Sequence, residues 1–180
     1  MLDPLFAQDV LNWMDQNNKD QMDIFGYSMG GYIALYLAMH HPNRVNRIVT
    51  LATKFDWDPD SAANETMFLN PDKIEGKLPQ FAKLLDQRHS DWKKLLKKTI
   101  EMMINVGDEP AIDQDSWATI THRIMLISGD SDTTATPVET INIHNKLINS
   151  TITILPDTPH PIEKVDKSIL SIHINKFFGT

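Results

Sequence analysis

Two regimes of hydrophobic spacing alternate along the chain. In "RIVTLAT" (Arg47–Thr53) and "RIMLISG" (Arg123–Gly129) apolar residues run almost without interruption, as in strands buried on both faces of a parallel sheet. "MDIFG" (22–26) and "TITIL" (Thr151–Leu155) are shorter strand candidates. Between them the spacing is helical. Leu5, Val10, Leu11 and Met14 predict an amphipathic helix over 4–17, with Asp3 as cap and Pro4 at its first position. Ser28 to His40 is apolar on nearly every side through Tyr32, Ile33, Ala34, Tyr36, Leu37, Ala38 and Met39, which predicts a buried helix ended by Pro42. Pro137 opens a helix over 137–148, and Ile162, Val165, Ile169 and Ile172 mark a last amphipathic one. Strands alternating with helices predict an α/β fold with a parallel sheet and right-handed crossovers.

Residues 54–122 interrupt this alternation. They are mostly polar and helical, with loop signals at "DWDPDS" and "NPDK". Trp92, Leu95, Leu96, Ile100 and Met103 form one stripe, and Lys93, Lys94, Lys97 and Lys98 another. The predicted organisation is a core of residues 1–53 and 123–180 with an inserted helical segment, 54–122.

The formal net charge is −7. That argues against a nucleic-acid partner, which calls for a basic balance, and favours reading the lysine stripe as solvated surface over membrane attachment. There are no cysteines, which excludes disulfides, thiolate metal sites and a cysteine nucleophile. The first ten residues, MLDPLFAQDV, lack a signal-peptide pattern, and no apolar run reaches membrane-span length. The cytoplasm is the expected compartment.

The chemistry concentrates in "DIFGYSMGGYIALYLAMHHP" (Asp23–Pro42). Gly26-Tyr27-Ser28-Met29-Gly30 is a G-x-S-x-G motif between a predicted strand and a buried helix, the setting of a nucleophile elbow. Gly26 and Gly30 are expected to be glycine because the bend leaves no room for side chains. The Met29 N–H, at the helix start, is placed to donate to a developing oxyanion. A phosphate-binding loop would need a lysine where Tyr32 follows Gly31, and no G-x-G-x-x-G occurs.

A serine nucleophile needs a base, and the base an orienting acid. Of seven histidines, His160 stands apart: it lies between Pro159 and Pro161, in a loop after a predicted strand, where open α/β sheets hold their sites. Asp130 and Asp132 both lie in the loop after "RIMLISG". Acids beside a glycine also serve as turn formers. The chain order is Ser, Asp, His.

These segments together resemble the carboxyl-terminal two-thirds of an α/β-hydrolase, of the serine esterase-like, lid-bearing kind. GYSMGGYIALYLAMHHPNRVNRIVTLAT resembles the elbow strand, its helix and the next strand. RIMLISGDSDTTATP resembles the acid-bearing strand, and LPDTPHPIEKVDKSILSIHINKFF the histidine loop and last helix. The resemblance implies Ser28 as nucleophile, His160 as base and Met29 N–H as oxyanion donor. It places the acid three residues after the strand-end glycine, at Asp132, with Asp56 in "TKFDWD" as the alternative position. It implies that residues 54–122 are a helical cap, that Tyr27 and Trp92 contact substrate, and that the substrate is a small ester or acyl compound. No metal or organic cofactor is implied. The chain also departs from the family pattern. Only 27 residues precede Ser28, and no His-Gly pair is present. An incomplete sheet is therefore expected, with the elbow strand at its edge, the second oxyanion donor missing, little activity in this chain alone, and self-association through the exposed edge. The competing expectation is a non-catalytic binding protein or an inactive fragment on the same fold.

Overall fold

The computed structural model describes residues 3–179. Two compact units divide the chain: residues 3–55 with 112–179 form one, and residues 56–111 the other.

The first unit is built on four parallel strands, β1 (Met22–Tyr27), β2 (Val45–Leu51), β3 (Arg123–Gly129) and β4 (Ser150–Leu155), in the order β1-β2-β3-β4. Helix α1 (Asp3–Gln16) precedes the sheet, α2 (Met29–His40) joins β1 to β2, α7 (Pro137–Lys146) joins β3 to β4, and α8 (Lys167–Phe178) ends the chain. Asp3, the expected cap, is the first residue of α1. Both β1-α2-β2 and β3-α7-β4 step the same way across the sheet, so right-handed crossover sets α2 and α7 on one face. On the other face, α8 covers Val49, Leu51, Met125, Ile127 and Leu155 with Phe177, Ile169, Leu170, Ile174 and Phe178. The α2 face carries the alternate positions: Ile48, Thr50, Ile124 and Leu126 are all buried. A strand with both faces covered explains why β2 and β3 read as continuous apolar runs.

Arg47 anchors the end of α8. Its guanidinium donates to the carbonyls of Phe177 (3.1 Å) and Phe178 (2.8 Å), and also to both carboxylate oxygens of Asp23. The last carbonyls of a helix have no partner within it, so one side chain satisfies two of them. The hydrogen bond from Arg47 holds the Asp23 carboxyl below its ordinary value.

Residues 112–122 belong with the sheet unit, although the sequence pattern places them in the insertion. Trp117 is fully buried, edge-on to Tyr32 and Phe55, and the Tyr32 hydroxyl accepts the Ile112 N–H at 3.1 Å. These contacts join residues distant in sequence, which periodicity does not report.

The second unit holds α3 (Pro59–Thr66), α4 (Pro71–Lys77), α5 (Pro79–Arg88) and α6 (Trp92–Asp108). Asp58, Asn70 and Asp91 cap α3, α4 and α6 by accepting backbone N–H groups, and Pro59, Pro71 and Pro79 open their helices where a missing N–H costs nothing. Trp92 and Leu96 bury against Ile74, with Leu69, Ala82 and Leu85 around them. Further along α6, Gly107 meets α3 so closely that a Cβ there would lie 2.5 Å from that of Ala62. Of the apolar stripe of α6, Trp92 and Leu96 thus pack into the core of their own unit, while Leu95 is exposed. Among the described residues no helix is long and apolar enough to cross a membrane.

Candidate active site

Residues at the carboxyl ends of β1, β3 and β4 converge. Ser28 follows β1 directly, with φ 52 and ψ −120, a conformation L-residues adopt only under constraint. The Ser28 N–H donates to the Leu51 carbonyl at 2.8 Å, which extends the β1–β2 pairing up to the bend. The next residue is already helical.

The glycines show how the turn is made. A Cβ on Gly26 would lie 2.5 Å from the backbone carbon and oxygen of Gly30 and from the Gly31 Cα. Strand and helix touch there backbone to backbone, so the position admits only glycine. Gly30 does not match the expectation: a Cβ there meets nothing within 4 Å. The tight second position is Gly31, where a Cβ would fall 2.0 Å from Thr53 Oγ1 and 3.0 Å from the Thr50 Cβ. Gly31 lets α2 lie close on β2, and Gly30 leaves space open beside the serine.

Serine is a favoured helix N-cap, its oxygen accepting an N–H of the first turn. Ser28 stands at the N-cap of α2 but makes no such bond. The positive φ turns the side chain away, and Oγ lies 3.2 Å from His160 Nε2. On the far side of the ring, His160 Nδ1 lies 2.9 Å from Asp132 Oδ2 and 3.2 Å from Oδ1. An ionised carboxylate only accepts hydrogen bonds, so Nδ1 carries the proton in the neutral ring. The Nε2 lone pair then faces the serine hydroxyl.

The Asp132 side chain is fully buried, while that of His160 is 24% exposed. Burial pushes the Asp132 carboxyl up. The hydrogen bond from His160, the Ala135 and Thr134 N–H groups (2.8 and 2.9 Å) and the imidazolium charge outweigh it, and the carboxyl lies below its ordinary value. Asp130 is turned away, accepting the Thr158 N–H and the Ser131 hydroxyl. Asp132, not Asp130 or Asp56, therefore stands beside the imidazole.

Met29 opens α2, where the first N–H groups have no acceptor within the helix. The Ser28 N–H is already engaged with Leu51. Tyr27 and Trp92 were both expected at the substrate. The Tyr27 hydroxyl donates to the His160 carbonyl at 3.0 Å, and Trp92 is 6% exposed within the core of the helical unit. Sequence reasoning missed the Tyr27 contact, because it joins residues 133 positions apart. Among the described residues no group of three or more His, Cys, Asp or Glu side chains could hold a metal ion.

A parallel sheet with covering helices, a serine on a strained strand-to-helix bend, and a histidine and buried aspartate from later strand ends define a class. The profile of the alpha/beta hydrolase fold matches residues 4–162, and the chain belongs to that family. The 2-hydroxymuconate semialdehyde hydrolase of Pseudomonas putida is 29% identical over 150 residues, covering 78% of this chain and 50% of that protein. The chain thus spans about half the length of this curated relative. Among solved structures, a serine hydrolase, CCSP0084, from the polyaromatic hydrocarbon-degrading bacterium Cycloclasticus zankles matches with a TM-score of 0.75 at 16% identity, over 98% of this chain and 70% of that one. The enol-lactonase from Burkholderia xenovorans LB400 matches with a TM-score of 0.67 at 20% identity, over 100% of this chain and 74% of that one. At such identities the two structures show a common fold.

Proposed function

We propose that the protein is a serine hydrolase that cleaves a carboxylic ester or related acyl bond through an acyl-enzyme. The observation that carries this reading is the unbroken relay from Ser28 Oγ to His160 Nε2 and from His160 Nδ1 to Asp132 Oδ2, at 3.2 and 2.9 Å. Ser28 Oγ attacks the substrate carbonyl as His160 Nε2 takes its proton. Negative charge forms on the carbonyl oxygen, and the Met29 N–H donates to it. The tetrahedral intermediate collapses, the leaving group departs with the proton from Nε2, and an ester to Ser28 remains. Water then attacks that ester with His160 again as base, releasing the acid and restoring the serine. Asp132 keeps the Nδ1 proton in place and stabilises the imidazolium. The helical unit, residues 56–111, is the insertion in the chain between β2 and β3.

The relatives' names favour a narrower second reading. An enol-lactone is a cyclic ester, and a hydrolase of a muconate semialdehyde acts on a related unsaturated carbonyl compound. Turnover of the whole protein on a panel of nitrophenyl esters, enol-lactones and ring-cleavage semialdehydes separates the two. Hydrolysis of any member that disappears in Ser28→Ala supports the common mechanism. Hydrolysis that survives Ser28→Ala contradicts it.

A further inference from the structure

The histidine loop poses a structural problem. Between β4 and the 3-10 turn at Ile162–Lys164, His160 is flanked by Pro159 and Pro161. Neither proline has an N–H, so of residues 159–161 only His160 can donate from its backbone. Such a segment cannot fasten itself through its own donors, yet its imidazole must hold two hydrogen bonds at once. The ties have to come from outside the loop.

Two such ties are present. Next to Ser28, the Tyr27 hydroxyl donates to the His160 carbonyl at 3.0 Å. The Tyr27 ring stands 5.7 Å from the imidazole, tilted by 40°. At the other end of the loop, the Asp130 carboxylate accepts the Thr158 N–H at 3.1 Å, just after Asp157, which turns with a positive φ of 49. A Cβ on Gly129 would fall 1.8 Å from the Thr158 carbonyl oxygen, so the acid-bearing strand end and the loop meet backbone to backbone.

Resting on the reading of His160 as general base, we propose that Tyr27 is a positioning residue. Its hydroxyl fixes the backbone of His160 relative to the serine one residue along the same strand end, and Asp130 secures the other end of the loop. Nucleophile and base are then referenced to one short piece of β1. Burial holds the Tyr27 hydroxyl above its ordinary pKa, with Glu163 and Asp132 adding to the effect, so it remains a proton donor through neutral pH. A misplacement of a catalytic group by about 1 Å costs on the order of a hundredfold in rate. A fastened loop relaxes less than that when one tie is cut.

Tyr27→Phe keeps the ring and removes the tie. In the whole protein we expect kcat to fall about three- to tenfold, the size of one lost uncharged hydrogen bond, with KM and Tm little changed. A second readout needs no turnover: the downfield proton resonance of His160 Nδ1–H, held by Asp132, should broaden in Tyr27→Phe and also in Asp130→Ala. Wild-type kcat together with an unchanged Nδ1–H resonance in Tyr27→Phe would overturn the proposal. So would a rise in KM alone, which would put the hydroxyl on the substrate. Ser28→Ala and His160→Asn run alongside. If either retains turnover, the triad itself has been misassigned, an outcome distinct from failure of the Tyr27 tie.

Discussion

Replacing Asp132 with asparagine changes one atom in a closed site. The side chain is fully buried, and its oxygens serve three donors: the Thr134 and Ala135 N–H groups on Oδ1 at 2.9 and 2.8 Å, and His160 Nδ1. Asparagine has one oxygen and one NH₂. Turning the NH₂ toward the two backbone N–H groups would lose both bonds, so the oxygen stays there and Nδ2 faces His160. Two donors cannot share a hydrogen bond, and the imidazole must shift its proton from Nδ1 to Nε2. It then presents N–H to Ser28 in place of a lone pair, and cannot take the serine proton. The expected loss in kcat is about 10⁴-fold, the size this tautomer error has in serine-protease triads, or about 5.4 kcal/mol at 1.36 kcal/mol per factor of ten. KM should change little, because Asp132 touches no substrate. Stability carries a second signature. The folded-state pKa of Asp132 lies below its unfolded value. Its contribution to stability is therefore complete above the unfolded pKa, about 3.9, and is lost as pH falls through the folded value. Asp132→Asn should remove that acid-side part of the Tm profile. Steady-state kinetics and thermal melts between pH 3 and 8 test both parts. Asp132→Asn within tenfold of wild type, or a collapse in Asp130→Asn or Asp56→Asn instead, would refute the assignment.

Gly26→Ala and Gly30→Ala should differ sharply although both lie in one motif. The first forces a Cβ onto backbone atoms at 2.5 Å, whereas the second meets nothing; thermal melts should show about 2–4 kcal/mol lost in Gly26→Ala and a change within about 1 kcal/mol in Gly30→Ala. Trp92→Ala should destabilise the helical unit by about 3–5 kcal/mol, read by denaturant melts, because the ring is buried in that unit's core; a pure change in KM with unaltered stability would place the ring at substrate instead. Ser28→Gly relieves a positive φ and should raise stability by about 1 kcal/mol while abolishing turnover; a lower Tm would show that the bend is not strained.

The parts of the site that could be read from the sequence are those whose chemistry leaves a local mark. Ser28 was visible because an elbow needs a strand before it, a helix after it, and glycine at a fixed spacing. His160 was visible because it sits between prolines directly after a strand. Asp132 needed more. Composition and loop position fit Asp130 equally, and only family spacing separated them. In the structure the two carboxylates differ by orientation, one toward the imidazole and the other toward the Thr158 N–H. The role of Gly31, the placement of residues 112–122 with the sheet, the burial of Trp92 and the Tyr27 contact all depend on what lies opposite a residue. An apolar stripe or a tyrosine beside a motif says that a surface will be covered, not by which partner.

Reaction of the whole protein with a fluorophosphonate probe, followed by peptide mass mapping, addresses the central claim most directly. An activated serine oxygen displaces the leaving group at phosphorus whatever the natural substrate is. The phosphonyl mass should appear on the peptide carrying Ser28, be absent in Ser28→Ala, and form much more slowly in His160→Asn and Asp132→Asn. An adduct on a different serine, or none on a protein shown by circular dichroism to be folded, would contradict the assignment of Ser28 as nucleophile.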